Sequence, residues 1–522
     1  MKLIKYSILA LTYAIFSFSQ ILAQDNTLDY WHHKPTIDPA HKGISTERAY
    51  TLLKNRTPEK VIVAVIDTGV DYMHEDLDDV MWVNPREIAN NGVDDDGNGY
   101  IDDIHGWNFL GNAKGENVAG ETLEETRIFA GRHKYTGNRE TYKKAVQSFY
   151  KTRSSIVKSY YNTILYLDDV KYFEKVYVPH PITTEAFSQF EVSDHEAESK
   201  KLVLNYLKNN GNSIVDFTSL KKAIEGNIAN FKTYVDFYYN PEYNSRELIG
   251  DNYNNTKERY YGNNDVKGPN PSHGTHVAGI IAAERNNGLG IDGIANKVKI
   301  MAVRVVPDGD EHDKDVANAI YYAIDNGAKV INMSFGKAFS WNKQAVDDAV
   351  RYAEKHDVLL VHAAGNSAQE LTGENNFPNQ LYEKRKFLGK KSPKNWIEVG
   401  ASTYNYNEDF VASFSNYDSE LVDVFAPGFQ ILSTLPESNY AKFNGTSMAS
   451  PMAAGVAALL RSYFPKLSAK EVKAIILESA TVIDLKVKRP SDKKLVPFKS
   501  MSKTGAVLNA EAAVKMTLKN HK

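Results

Sequence analysis

The sequence predicts an α/β protein, a doubly wound and mostly parallel sheet with helices on both faces, interrupted by a helical insertion. Three observations point there. Short runs rich in Val and Ile recur along the chain, helical patterns separate several of them, and one long stretch abandons that rhythm. The runs are Val61–Asp67, Lys299–Val306, Lys329–Gly336, Asp357–Gly365, Trp396–Ser402 and Val422–Gly428. Continuous apolar runs suit strands covered on both faces, as in a parallel sheet. Asp315–Asn326 and Trp341–Lys355 carry the helical pattern between them. In such folds the chemistry gathers beyond the carboxyl ends of the strands.

The stretch from Ala113 to Tyr260 is rich in Lys, Tyr and Glu, with helical patterning in Glu140–Tyr160, His195–Lys208 and Ile214–Tyr238. It reads as an insertion that emerges at the surface and is removable as a unit. Asp251–Pro271 follows as a polar loop with turn signals at Asn254-Asn255, Gly262-Asn263-Asn264 and Pro269-Asn270-Pro271. An amphipathic helix is expected over Ala510–Leu518.

Composition narrows the classes of function. The 522 residues are 42% hydrophobic and 24% charged, ordinary for a globular protein with a large core. A net charge of -3, from 62 basic and 65 acidic residues, gives no electrostatic case for a nucleic-acid partner. There is no cysteine, which excludes disulfides, thiolate catalysis and cysteine-ligated zinc. Lys2 and Lys5, the apolar stretch Ile8–Phe18 and small Ala23 describe a signal peptide over residues 1–23, hence export to the periplasm or beyond the cell. That stretch is shorter than the roughly 20 residues a span requires, and no later stretch is long and apolar enough, so no membrane span is expected once the signal is removed.

Four motifs carry chemistry. Asp67, in Val65-Ile66-Asp67-Thr68-Gly69, ends an apolar run, where a carboxylate can orient a histidine. No second Asp-Thr-Gly or Asp-Ser-Gly exists to make an aspartic protease. His273, in Ser272-His273-Gly274-Thr275-His276, is the candidate general base. Zinc helices more often place two histidines four apart with a glutamate between; here Gly274 and Thr275 separate them, and His276 is expected to be structural. Ser447, in Asn444-Gly445-Thr446-Ser447-Met448-Ala449-Ser450-Pro451, precedes an apolar helix at Ala449–Leu460, whose N-terminus favours a developing oxyanion. Asn366, in Ala363-Ala364-Gly365-Asn366-Ser367, follows an apolar run and is placed to donate to the same oxyanion. Taken singly, each has a plain alternative: a strand-end carboxylate, a zinc-binding histidine pair, an N-cap serine, a turn asparagine.

The chain order Asp, His, Ser separates this set from the orders of chymotrypsin and the α/β-hydrolases. With these motifs the chain resembles the subtilisin-like (subtilase, S8) peptidase family over about Gly43–Gly111 and Asn264–Met516. The resemblance implies a catalytic domain split into 24–112 and 261–522 around the insertion at 113–260. It implies that Asp67, His273 and Ser447 form a triad, that Asn366 completes an oxyanion hole, and that Ser334, Phe335 and Gly336 pair with a protein or peptide substrate bound as an extended strand. The expected activity is that of an exported serine endopeptidase working through an acyl-enzyme. A subtilase-like binding module without activity and an esterase using the same triad are the competing readings. One departure stands out: 206 positions separate Asp67 from His273, far more than in the simplest members.

Calcium is the expected cofactor, in a structural role. Asp94, Asp96 and Asn98 alternate, Gly99 permits a turn, and the pattern matches the first half of an EF-hand loop. His105 stands where that loop has its bidentate glutamate. Asp102 or Asp103 closes the shell instead, and Tyr100 falls within the same candidate set. The alternative is a solvated acidic turn. The family resemblance implies a second site, with Asp76 and Asn287 as ligands.

Overall fold

Val61–Asp67 forms β1, and its alternation explains why the run has no polar face. Val61, Val63 and Val65 enter one hydrophobic core, and Ala64 and Ile66 enter another on the opposite side of the sheet. The computed structural model describes residues 28–36, 42–177, 182–209, 216–384 and 391–521. Further along the chain come β2 (Gly106–Asn108), β3 (Val298–Arg304), β4 (Val330–Met333), β5 (Leu359–Ala363), β6 (Trp396–Ser402) and β7 (Val424–Pro427). They build a nine-stranded sheet in the order Thr481–Val482, Ala506–Val507, β7, β6, β5, β4, β1, β3, β2. Every pairing from Ala506–Val507 to β2 is parallel, and Thr481–Val482 adds an antiparallel edge.

Helices cover both faces, as expected. Ser272–Ala282 and Thr446–Tyr463, called here the histidine helix and the serine helix, pack into the first core. Asp313–Asp325 and Lys343–Lys355 pack into the second. β1 and β6 coincide with the expected runs. The run Lys329–Gly336 yields a shorter strand because its last residues leave the ladder: Ser334 turns to the serine helix, and the Phe335 carbonyl pairs with the His362 ring at 2.9 Å. Asp357 adopts a left-handed conformation and caps Ala469 N–H, so β5 starts later than expected.

Among the elements outside the expected set are a short strand and a hairpin near the site. β2 is three residues long and is held by the buried Trp107 and Asn108. A hairpin of β8 (Ile431–Leu435) and β9 (Asn439–Phe443) packs on the histidine helix, with the Ser433 and Thr434 hydroxyls donating to the carbonyls of His276 and Thr275.

Between β2 and the histidine helix the chain is largely helical. Arg139–Val176 is one helix of 38 residues, capped by Asn138 and continuing well past Tyr160 because buried Leu167, Val170 and Phe173 prolong its apolar side. Ala197–Asn209 and Phe217–Thr233 pack near its far end, around a core of their own that includes Val170, Phe173, Phe187, Val203, Leu207 and Leu220. Ile214 lies outside the described residues, as does the segment expected to be a signal peptide.

The two ends of this stretch are built into the sheet domain. Glu121 accepts from His312 at 2.9 Å, Arg127 reaches the Asp310 and Glu311 carbonyls, and Arg246 pairs with Asp315 at 2.6 Å. Excising Ala113–Tyr260 as a whole would strand the buried Asp315 without its counter-charge and leave the His312 ring and two carbonyls without these partners, a costly outcome in a low-dielectric interior. The long helix and the small core at its far end are the part that stands away from the sheet.

Candidate active site

β1 ends at Asp67, and the loop that follows brings the histidine helix to it. Gly69 lies at φ 117 with the Lys267 carbonyl 2.3 Å from where a Cβ would sit, so only glycine fits. Gly274 faces this loop, and a Cβ there would meet the Gly69 carbonyl at 2.1 Å. These two glycines let the helix start beside the carboxylate. Thr68 fastens the contact, its hydroxyl accepting from Gly274 N–H at 3.2 Å.

The His273 Nδ1 lies 2.7 Å from Asp67 Oδ1. A carboxylate only accepts, so Nδ1 carries the proton and Nε2 is left as the base. Asp67 is 1% exposed and His273 32%. Burial, the largest single influence, pushes the His273 pKa down, but the charge and hydrogen bond of Asp67 outweigh it and the net shift is upward. His276 is separate from this chemistry. It is fully buried, bonded to the Ala441 carbonyl at 3.0 Å and stacked on Phe443, and burial pushes its pKa down to about 3.

Ser447 lies in the first turn of the serine helix. Its hydroxyl donates to the Ser334 carbonyl at 3.0 Å, while the Ser334 hydroxyl donates to the Ser447 carbonyl at 2.9 Å. Asn366 follows β5 and is exposed. Its Oδ1 accepts from Thr446 N–H at 2.8 Å and from the Thr446 hydroxyl at 2.9 Å, which fixes the amide with Nδ2 as the free donor. A Cβ placed on Gly445 would lie 3.5 Å from both Asn366 Nδ2 and Ser447 N. The two donors thus border one small space beside the nucleophile, the arrangement that stabilises an oxyanion.

Two residues shape this loop without having been singled out: Thr446, inside the serine motif, and Asn416, outside any motif. Thr446 is fully buried and accepts from Gly365 N–H at 3.0 Å. Asn416 accepts from the Ser367 and Gln369 amides and donates to the Ala364 carbonyl. Ser334 is buried, Phe335 half-buried and Gly336 exposed, in the segment that leaves β4 toward the serine helix.

The acidic loop is differently arranged from its sequence pattern. Asp94 and Asp96 are joined by Glu87, with carboxylate oxygens of all three within 4.8 Å of one another. Asn98 shares their hydrogen bonds: its amide N–H reaches Asp94 and Asp96, and its Oδ1 accepts from Tyr100 N–H. Asp102 is engaged elsewhere, accepting from the Asn91 and Gly92 amides. Asp103 accepts from Asn84, Asn98 and Tyr322, and burial pushes its pKa up to about 6. Glu87 escapes a search of the loop because it lies seven positions before Asp94, and Arg86 neutralises part of the cluster through Asp96 at 2.9 Å. Asp76 and Asn287 do meet. The Asn287 amide donates to Asp76 Oδ1 at 2.8 Å and Ile291 N–H donates to Oδ2 at 3.1 Å.

A model of the subtilase family matches residues 59–507. The thermophilic serine proteinase of Bacillus sp. (strain AK1) is 45% identical over 192 residues, covering 37% of this chain and 43% of that protein. Thermitase of Thermoactinomyces vulgaris is 42% identical over 212 residues, or 40% of this chain and 68% of its own. Subtilisin DY of Bacillus licheniformis is 40% identical over 212 residues, covering 40% and 70% respectively.

Proposed function

The chain belongs to the subtilase family of serine endopeptidases, and from that premise we propose that it is an exported enzyme hydrolysing peptide bonds of proteins through Asp67, His273 and Ser447. The observation that carries this reading is the space bordered by Asn366 Nδ2 and Ser447 N–H, next to a serine at a helix start and served by the His273–Asp67 pair. A binding module has no use for an oriented free amide at that point.

The proposed reaction follows from the groups themselves. His273 Nε2 takes the Ser447 proton as Oγ bonds to the substrate carbonyl carbon, and the negative carbonyl oxygen is met by the two donors. The imidazolium, steadied by Asp67, then protonates the departing amine as the C–N bond breaks and leaves an acyl-enzyme. Water, deprotonated by His273, attacks the ester and returns Ser447 to its hydroxyl. An extended substrate is held along Ser334–Gly336, where a peptide adds as a strand. The N-terminal Lys2, Lys5, Ile8–Phe18 and Ala23 support export. Among the described residues no helix is long and apolar enough to cross a membrane.

The purified protein should hydrolyse peptide anilides as well as simple esters, the ester being the faster of two matched substrates because its leaving group departs more easily. A fluorophosphonate should inactivate it with one adduct, mapped to Ser447 by mass spectrometry. Failure to cleave any peptide while esters turn over would replace this reading with an esterase. The pH profile has a definite sign. A protonated His273 cannot accept, and its pKa is raised from 6.5, so kcat/KM should climb with pH through a midpoint above 6.5. A midpoint below that value would contradict the Asp67–His273 geometry.

Calcium is proposed as a structural ligand of Glu87, Asp94 and Asp96. Their hard carboxylate oxygens fit such an ion, and three acids drawn together otherwise repel. Asp76 with Asn287 is proposed as the second site. In a Ser447→Ala background, which prevents self-digestion, chelation with EDTA should lower the melting temperature and calcium restore it. The gain follows RT ln(1 + [L]/Kd), about 2.7 kcal/mol at a hundredfold excess over Kd. Glu87→Ala should blunt the calcium response. Melting curves that ignore chelator and calcium alike would remove both sites.

A further inference from the structure

The inserted stretch reaches the active site through one buried lysine. Lys337 directly follows the segment Ser334–Gly336, and its side chain is 1% exposed. Its ammonium has three acceptors for three protons: a carboxylate oxygen of Glu124, Asp313 Oδ1 at 2.8 Å and the Glu311 carbonyl at 2.7 Å. Glu124 comes from the inserted stretch and is itself fully buried. Arg127 grips the same carboxylate from the other side, at 3.1 and 3.0 Å. The Lys337 main chain is fixed as well, exchanging two hydrogen bonds of 2.9 Å with Phe377.

The other end of this short segment touches the nucleophile. Ser334 exchanges hydrogen bonds with Ser447 through its carbonyl and its hydroxyl. Between Ser334 and Lys337 lie only Phe335 and Gly336, and glycine gives the backbone freedom that its neighbours must restrict. The Phe335 carbonyl is held by the His362 ring at 2.9 Å, and beyond it the position of the segment relative to Ser447 depends on how firmly Lys337 is held. Glu124 supplies the carboxylate that the inserted stretch contributes to that hold.

We propose that Glu124 is a positioning residue which, through Lys337, fixes the substrate-pairing segment Ser334–Gly336, so that the inserted stretch governs peptide binding from outside the cleft. This rests on the peptidase reading above. It differs from a merely structural tie in what it should change. A structural tie alters melting; a positioning tie alters how an extended peptide is held by sites that are already competent.

The test compares Glu124→Gln and Lys337→Met with the parent protein, using a tetrapeptide anilide and a single-residue ester. Rates are expressed per active site titrated with a fluorophosphonate. The expected result is a rise in KM of about tenfold for the tetrapeptide, a smaller change in kcat, and little change in either constant for the ester. Values within twofold of the parent on both substrates, with only the melting temperature lowered, would overturn the proposal. If Lys337→Met does not fold, the near-isosteric Glu124→Gln decides. A Glu124→Gln chain unable to fold also overturns it, because the group is then a determinant of the fold alone. A parent inert on both substrates overturns the peptidase reading and this inference together, whereas an active parent matched by its variants overturns only the inference.

Discussion

Ser447→Ala should lower kcat for peptide hydrolysis by about 10⁶, the scale on which loss of the nucleophile acts in subtilisin, with the fold retained. The fold should survive because the hydroxyl makes one hydrogen bond, to the Ser334 carbonyl, and the residue is only half-buried. The network that shapes the site runs through Thr446 and does not use the Ser447 side chain. The variant keeps the Ser447 amide and Asn366, so it should still surpass water by about 10³–10⁴ through oxyanion stabilisation and binding alone. Steady-state hydrolysis of a peptide anilide, beside a thermal melt of the same sample, measures both halves of the claim. A variant that melts like its parent and keeps more than about one per cent of the rate would show that another group is the nucleophile.

The residues proposed to carry the chemistry were legible because each lies in a short motif at a strand end or helix start, where backbone geometry constrains the sequence. Asp67 closes a seven-residue apolar strand, and Gly69 and Gly274 mark where the histidine helix approaches it. Strands buried on both faces were legible for a related reason: β1 is apolar from Val61 to Ile66 and β6 is buried along its whole length, with Glu398 satisfied by His362 and Trp396, so their ends are sharp. β2 was not legible, since Gly106 and Asn108 are poor strand formers and the strand exists only because β3 offers a free edge. The hairpin β8–β9 turns through Glu437 and Ser438 at positive φ, positions where Asn or Gly would have announced it. Supporting residues were hidden by distance along the chain. Asn416 acts on Ala364 across 52 positions and Glu124 on Lys337 across 213, and neither carries a local pattern. The acidic loop was legible only in part. Its spacing suggested Asp102 and Asp103 as ligands, but their oxygens are taken up by nearby amides, a tyrosine and asparagines, while Glu87 folds back from before the loop.

Asn366→Ala should reduce kcat by about 10²–10³, the effect of losing the matching oxyanion donor in subtilisin, with little change in KM. The reason lies in when the bond forms. The ground-state carbonyl is planar and weakly charged, whereas the tetrahedral intermediate places a full negative charge where Asn366 Nδ2 and Ser447 N–H converge. A donor that acts mainly there changes the barrier more than substrate binding. Alanine also removes the acceptor for the Thr446 amide and hydroxyl, and Thr446 is fully buried, so some loss of order around the nucleophile would mimic the catalytic loss. Asn366→Asp separates the two. It keeps an oxygen for both Thr446 bonds but replaces the free donor with an acceptor that carries charge at neutral pH. Aspartate should therefore melt nearer to the parent than alanine does, yet be at least as slow, because its carboxylate repels the oxyanion. An aspartate variant with near-parental kcat would show that Asn366 serves the loop and not the oxyanion. A loss confined to KM in the alanine variant would point the same way.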